Sequence, residues 1–219
     1  MVGDVANIAL TTGKLGACPA TDARDDVLEQ AIARARRGDL EAFDIIIRRS
    51  ERRVVSVAWR ILGDEDDARD AAQEVFLRVF RYLGSFRAGE NFSAWLYRIA
   101  INTCRDARRG KSLRLARFPS IGESGEDFAE EAGPDAHPDD AVLRSQRRAL
   151  IRRALAELAD REREAFVLRD LEGLTTDEVA EVLGMRAVTV RSYVSTARSK
   201  VRSYCAAAID ECERAGGVR

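Results

Sequence analysis

The sequence predicts an all-α protein made of two small helical domains joined by an acidic flexible linker. Three observations carry that expectation. Apolar residues recur at the 3.6-residue period over long stretches, while only 4 Pro and 6% aromatics occur in 219 residues. Between residues 118 and 140 the period stops, and FPSIGESGEDFAEEAGPDAHPDD holds eight acids, three of the four Pro, three Gly and no Lys or Arg. That is the composition of a solvated spacer. With 46% hydrophobic and 33% charged residues, the chain can fill two small cores but hardly one large one. The expected layout is a disordered tail over 1–24, a helical domain over 25–117, the linker over 118–140, a second helical domain over 141–204 and a C-terminal tail over 205–219.

The first 24 residues lack the basic start and unbroken apolar run of a secretory signal, and no stretch is long and apolar enough to span a bilayer. LGAC at Leu15–Cys18 has the form of a lipoprotein processing box, but Asp4 and Lys14 interrupt its apolar region. A cytoplasmic protein without membrane insertion is expected.

Within the first domain, GDEDDARDAAQEVFLRVFRYLGSF from Gly63 to Phe86 begins with acids at Asp64–Asp67, which suit a helix N-terminus and its dipole. Ala71, Val75, Leu77, Val79 and Phe80 follow among Asp70, Gln73, Glu74 and Arg78, and Ala72, Phe76 and Leu83 lie on a different side. Such a helix either buries one side and offers the other to a partner, or is buried all round; composition leaves both open.

Phe92 to Arg117 is the most informative stretch. Phe92, Leu96, Ile99 and Thr103 share one helical face, and Arg98, Asn102, Arg105 and Arg109 line another. Seven basic residues against the single acid Asp106 lie between Arg98 and Arg117, with Trp95 and Tyr97 where the basic run begins. Cations for phosphates and rings for unstacked bases are what single-stranded nucleic acid requires. A solvated basic surface with Trp95 in the core is the alternative.

The linker follows. Its eight carboxylates are compatible with repelling DNA, with a plain spacer, or with a seat in a cationic channel elsewhere. In the second domain, Leu158 to Arg202 has the period of three helices, and the last two have helix-turn-helix layout. Thr175 with Glu178 forms a capping box, and Gly184 suits the left-handed residue that ends the supporting helix. In the following helix Ala187, Val190, Val194, Ala197 and Val201 make an apolar stripe, with Arg191, Ser195, Arg198 and Arg202 opposite. Five basic residues and no acid fall between Arg186 and Tyr204, as in a helix that enters a major groove.

Enzyme chemistry finds no foothold. His137, the single histidine, lies in the linker; Cys18, Cys104, Cys205 and Cys212 lack metal-ligand spacing; and no Gly-rich phosphate loop or nucleophile beside a base occurs. No cofactor and no metal are expected, and reduced thiols are.

Taken together, DLEAFDIIIRRSERRVVSVAWRIL, DARDAAQEVFLRVFRYLGSF and FSAWLYRIAINTCRDARR resemble region 2 of the extracytoplasmic-function sigma factors, the smallest group of the bacterial sigma-70 family. LADREREAFVLRDLEGLTTDEVAEVLGM, with TVRS and TARSKVR, resembles region 4, and the likeness spans roughly Asp39 to Arg202. The resemblance implies an alternative initiation factor that binds core RNA polymerase, at the clamp helices of its largest subunit and at its flap, and that recognises and melts promoter DNA. It also leaves a place for an anti-sigma factor. It puts Asp67, Asp70, Gln73, Glu74, Phe76 and Leu77 at the polymerase. It puts Arg87, Glu90, Asn91, Phe92, Trp95, Tyr97, Arg98, Asn102, Arg105, Arg108 and Arg109 at the minus-10 element, where a base is flipped out. Thr189, Arg191, Ser192, Ser195 and Arg198 fall on the helix that reads the minus-35 element, and the acidic linker matches a segment threading toward the polymerase active site. Arg186, Ala187 and Val188 replace the usual Pro-x-Gly-Thr step, and Tyr193 and Thr196 replace arginines, so a minus-35 sequence preference does not carry over. A helix-turn-helix regulator that never joins polymerase is the competing expectation; region 2 has no reason to occur in one.

Overall fold

The computed structural model describes residues 21–87, 89–117 and 138–216, and every described element is helical. These residues form two compact units. Expectations for residues 1–20 and 118–137, including LGAC, Cys18, His137 and most of the acidic linker, lie outside the described residues.

The first unit contains α1 (Thr21–Ala35), α2 (Leu40–Leu62), α3 (Glu65–Tyr82), a 3₁₀ turn (Leu83–Ser85) and α4 (Phe92–Arg117). Residues 21–24, expected in the tail, are already helical. Asp39 starts α2 by accepting the Ala42 N–H at 3.0 Å and the Arg34 Nε–H at 2.8 Å. The backbone N–H first and the guanidinium second hold its carboxyl below the ordinary carboxylate range. Ala42, Ile46, Ser50, Val54, Val57, Ala58 and Ile61 form the buried stripe of α2. Gly63, at φ 78°, ends it by donating its N–H to the Trp59 carbonyl at 2.7 Å. One residue on, Asp64 caps α3 by accepting the Asp67 N–H at 2.9 Å, so two long helices meet across a minimal turn.

α3 buries Ala68, Ala71, Ala72, Val75, Phe76 and Val79. Leu77 and Phe80 stay outside, 58% and 55% exposed, which decides between the two readings of this helix: it is not buried all round. α3 packs on α2 and α4, and α2 also touches α1 and α4. Val54, Val75, Val79, Leu96 and Ala100 belong to their common core.

The second unit contains α5 (Pro138–Ala156), α6 (Asp160–Phe166), a π-helical segment (Val167–Leu171), α7 (Thr176–Leu183) and α8 (Ala187–Gly216). The linker expected to reach 140 thus gives way to helix at Pro138, which suits a first helical turn because proline lacks the N–H left unpaired there. α8 continues to Gly216 instead of stopping at Tyr204. Arg163 ties the end of α5 to α6, donating to the carbonyls of Leu155 at 2.8 Å and Leu158 at 3.2 Å. The Thr175 N–H donates to Glu178 at 2.7 Å and the Glu178 N–H to Thr175 Oγ1 at 3.2 Å, completing the expected capping box. Gly184 has φ 64° and passes the chain into α8. Among the described residues no helix is long and apolar enough to cross a membrane. The Cys104 thiol is buried, and burial pushes the Cys205 thiol up from its ordinary pKa.

Two glycines in open space should respond oppositely to a methyl group. Gly184→Ala forces a left-handed φ on an L-residue and should cost about 1–2 kcal/mol. Gly110→Ala lies within α4 and should gain about 0.5–1 kcal/mol by removing unfolded-state freedom. Thermal melts of the two variants check the pair of signs.

Candidate nucleic-acid interfaces

On α3 the outward face runs Asp70, Gln73, Leu77, Phe80, at steps of three and four residues. Asp70 and Gln73 are exposed. Two other residues expected on this face are shared with α4. Asp67 accepts Lys111 Nζ at 2.7 Å. Glu74 accepts the Arg78 Nε–H at 2.8 Å, while Arg78 Nη1 reaches Asp106 at 2.9 Å. The Glu74 bond first and the Asp106 bond second raise the Arg78 pKa. Phe76, expected on the same face, is buried, its ring in the core with Val75 and Val79. Phe80, which the sequence reading left unassigned, is exposed and meets Phe43 edge-on at 5.1 Å. Its three-residue offset from Leu77 was the signal.

The approach to α4 is built on aromatic packing. Phe86 lies 5.5 Å from Phe92 and 5.3 Å from Trp95, and Phe92 lies 5.7 Å from Trp95. Phe92, Trp95 and Tyr97 are buried, 8%, 9% and 3% exposed, and the rings of Phe86, Phe92 and Trp95 pack beneath the loop. Arg87 and Glu90 are exposed in that loop. Asn91 is spent as the helix cap, accepting the Ala94 N–H at 3.1 Å.

Along α4 the predicted division of faces is present. Phe92, Leu96 and Thr103 are buried, Ile99 is partly so, and Asn102 and Arg109 are exposed with Arg98 and Arg105 partly exposed beside them. Arg105 donates to Asn102 Oδ1 at 3.3 Å and so steadies the amide. Arg108 leaves the stripe: its guanidinium donates to the Ile61 carbonyl at the C-terminus of α2, one of the carbonyls that a helix cannot pair internally.

In the second unit the apolar stripe of α8 is buried at Val190, Val194 and Ala197, and Arg191, Ser192 and Ser195 face outward. Thr189 is partly exposed in the first turn, its N–H bonded to the Arg186 carbonyl. A groove of about 390 Å³ opens along this helix, lined by Arg169, Thr176, Arg191, Ser195, Arg198 and Arg202 among others. Arg198 is clamped by Asp170, Nε to Oδ2 at 2.7 Å and Nη2 to Oδ1 at 2.6 Å. The described residues contain no cluster of three His, Cys, Asp or Glu able to hold a metal ion.

The described residues thus hold a basic helix after a capped turn and, in a separate unit, a cationic helix beside an exposed acidic-apolar face. The family profiles agree in order: Sigma-70 region 2 matches residues 46–114 and Sigma-70, region 4 matches 148–201. The chain is 33% identical over 175 residues to the RNA polymerase sigma-H factor of Pseudomonas aeruginosa, covering 79% of this chain and 91% of that one. It is 31% identical over 173 residues to the ECF RNA polymerase sigma-E factor of Escherichia coli, covering 78% and 90%. Among solved structures, CnrH, determined in complex with the cytosolic domain of CnrY, superposes with a TM-score of 0.59 at 25% identity, over 83% of this chain and 98% of that one. The sigma factor RpoE of Bartonella quintana, in complex with the anti-sigma factor NepR, shares the fold at a TM-score of 0.60 and 22% identity, over 74% and 95%. The chain belongs to the sigma-70 family, in its extracytoplasmic-function group. Its function is transcription initiation through RNA polymerase binding and promoter recognition, as a regulatory subunit without catalysis of its own.

The neighbours Arg108 and Arg109 separate structure from binding. Arg108→Ala removes a charged donor from the end of α2 and should cost about 1.5–3 kcal/mol of stability. Arg109→Ala, at an exposed guanidinium, should leave the melting temperature in place and lower DNA affinity. Calorimetry paired with a DNA-binding titration checks both.

Proposed function

We propose that the first unit docks on core polymerase through the outward face of α3 and captures minus-10 DNA along α4, while α8 reads the minus-35 element. The carrying observation is that one small core holds two exposed faces of opposite character. Asp70, Gln73 and Leu77 lie on α3, with Asp67 and Glu74 at the edge toward α4, and Arg98, Asn102, Arg105 and Arg109 lie on α4. Polymerase binding on the first face leaves the second open to DNA. Asn102 offers an amide with both a donor and an acceptor to a base extruded from the stack, and the flanking arginines offset the cost of unstacking, a few kcal/mol, through phosphate contacts. Arg87 and Glu90 stand in the loop ahead of α4 and complete the rim of that site. On α8, Thr189, Arg191, Ser192 and Ser195 present hydroxyls and a guanidinium to base edges and phosphates.

The acidic segment over 118–140, by its charge, suits a cationic channel of polymerase. The factor works in the cytoplasm, where polymerase and promoters are. The sigma factor RpoE is solved with the anti-sigma factor NepR, and CnrH with the cytosolic domain of CnrY. By analogy an anti-sigma factor restrains this chain by covering surfaces that polymerase needs.

Transcription in vitro with core polymerase and a promoter library tests the whole reading, and absence of promoter-dependent initiation would overturn it. Replacing Gln73 with Ala and Glu74 with Lys should weaken core binding with helicity unchanged; a pull-down with equal retention of parent and variant would reject the docking face. Asn102→Ala should relax preference at one minus-10 position, by about 1–3 kcal/mol, and reduce strand opening. Arg191→Ala should weaken duplex minus-35 binding and spare a pre-melted template. Permanganate footprints and binding to duplex and bubble templates distinguish the two variants.

A further inference from the structure

Four arginines line the groove beside α8, and one of them is not in the same state as the others. Arg198 presents one edge of its guanidinium to both oxygens of Asp170, at 2.7 and 2.6 Å, and the Asp170 side chain is 10% exposed. A planar fork on a carboxylate is the strongest and most directional form of this pairing. Arg169, Arg191 and Arg202 line the same groove without an ion-pair partner among the described residues.

Asp170 comes from the π-helical segment Val167–Leu171, which closes with the Glu172 N–H on the Val167 carbonyl at 2.9 Å. That wide turn carries two adjacent residues of opposite charge to one groove: Arg169 lines it, and Asp170 reaches the guanidinium in its wall. Of the cations of α8, Arg191, Arg198 and Arg202 line this groove, and Arg198 and Arg202 are like charges one turn apart, an arrangement that repels. The carboxylate cancels one of the two.

We infer that Asp170 is a positioning residue for duplex reading: it withholds Arg198 from phosphate contact and leaves Arg169, Arg191 and Arg202 as the free cations of the groove. This rests on the reading of α8 as the helix that engages duplex DNA. A guanidinium already neutralised by a carboxylate displaces no counterion from DNA, so Arg198 adds nothing to the salt dependence of binding. Keeping the free cations at three limits sequence-independent phosphate affinity, against which base readout must compete.

The test measures binding of the full-length chain to a duplex carrying a promoter selected by the parent holoenzyme, and to a scrambled duplex, over a series of salt concentrations. Arg198→Ala should leave the salt slope as in the parent, whereas Arg202→Ala should flatten it by about 0.9, the value of one phosphate contact. Asp170→Asn, which keeps shape and removes charge, should steepen the slope by about 0.9 and raise affinity for the scrambled duplex more than for the promoter. Exchange of the pair, Asp170→Arg with Arg198→Asp, should return the promoter-to-scrambled ratio toward the parent's. Circular dichroism of each variant, with Arg198→Lys as the charge-conserving control, identifies loss of fold. Overturning results are a flattening with Arg198→Ala equal to that with Arg202→Ala, or an unchanged slope with Asp170→Asn in a folded protein. If Arg191→Ala binds both duplexes as the parent does, the reading of α8 fails, and this inference with it.

Discussion

Val54 of α2, Val75 and Val79 of α3 and Leu96 and Ala100 of α4 share one core, and the rest of the first unit is arranged by their burial. Each buried Val or Leu stabilises the fold by about 1.5–3 kcal/mol, whereas an exposed ion pair contributes about 0.2–1 kcal/mol. The pairs of Lys111 with Asp67 and of Arg78 with Asp106 join α3 to α4 but do not choose their orientation. Once the core stripes face inward, the helical period turns Asp70, Gln73 and Leu77 out on α3 and Asn102 and Arg109 out on α4. The functional faces are thus a consequence of the packing that opposes them.

Cations in this protein divide into those that hold helices together and those left for a polyanion. Arg108 satisfies the end of α2, Arg163 the end of α5, and Arg198 the carboxylate of Asp170. Arg109, Arg191 and Arg202 are exposed and hold no such partner among the described residues. A formal net charge of -1 conceals this division, because acids and bases are separated along the chain and then partly recombined in space. The aromatic residues divide in a similar way. Phe86, Phe92 and Trp95 form a support beneath the loop before α4, so that Arg87 and Glu90 stand on a packed base.

The sequence by itself determined the helical class, the two-part layout, the capping box at Thr175, the left-handed turn at Gly184 and the faces of α4 and α8, because each depends on residues within one or two helical turns of each other. Only the tertiary structure decided that Phe76, Trp95 and Tyr97 are core residues, that Arg108 and Arg198 are spent on Ile61 and Asp170, and that Phe80 extends the face begun by Leu77. Arg108 and Ile61 are 47 residues apart, and Arg198 and Asp170 are 28 apart. A helical period places a side chain on a face but carries no information about which distant carbonyl or carboxylate that face will meet, and an aromatic residue beside a basic run has the same local pattern whether its ring packs inward or outward.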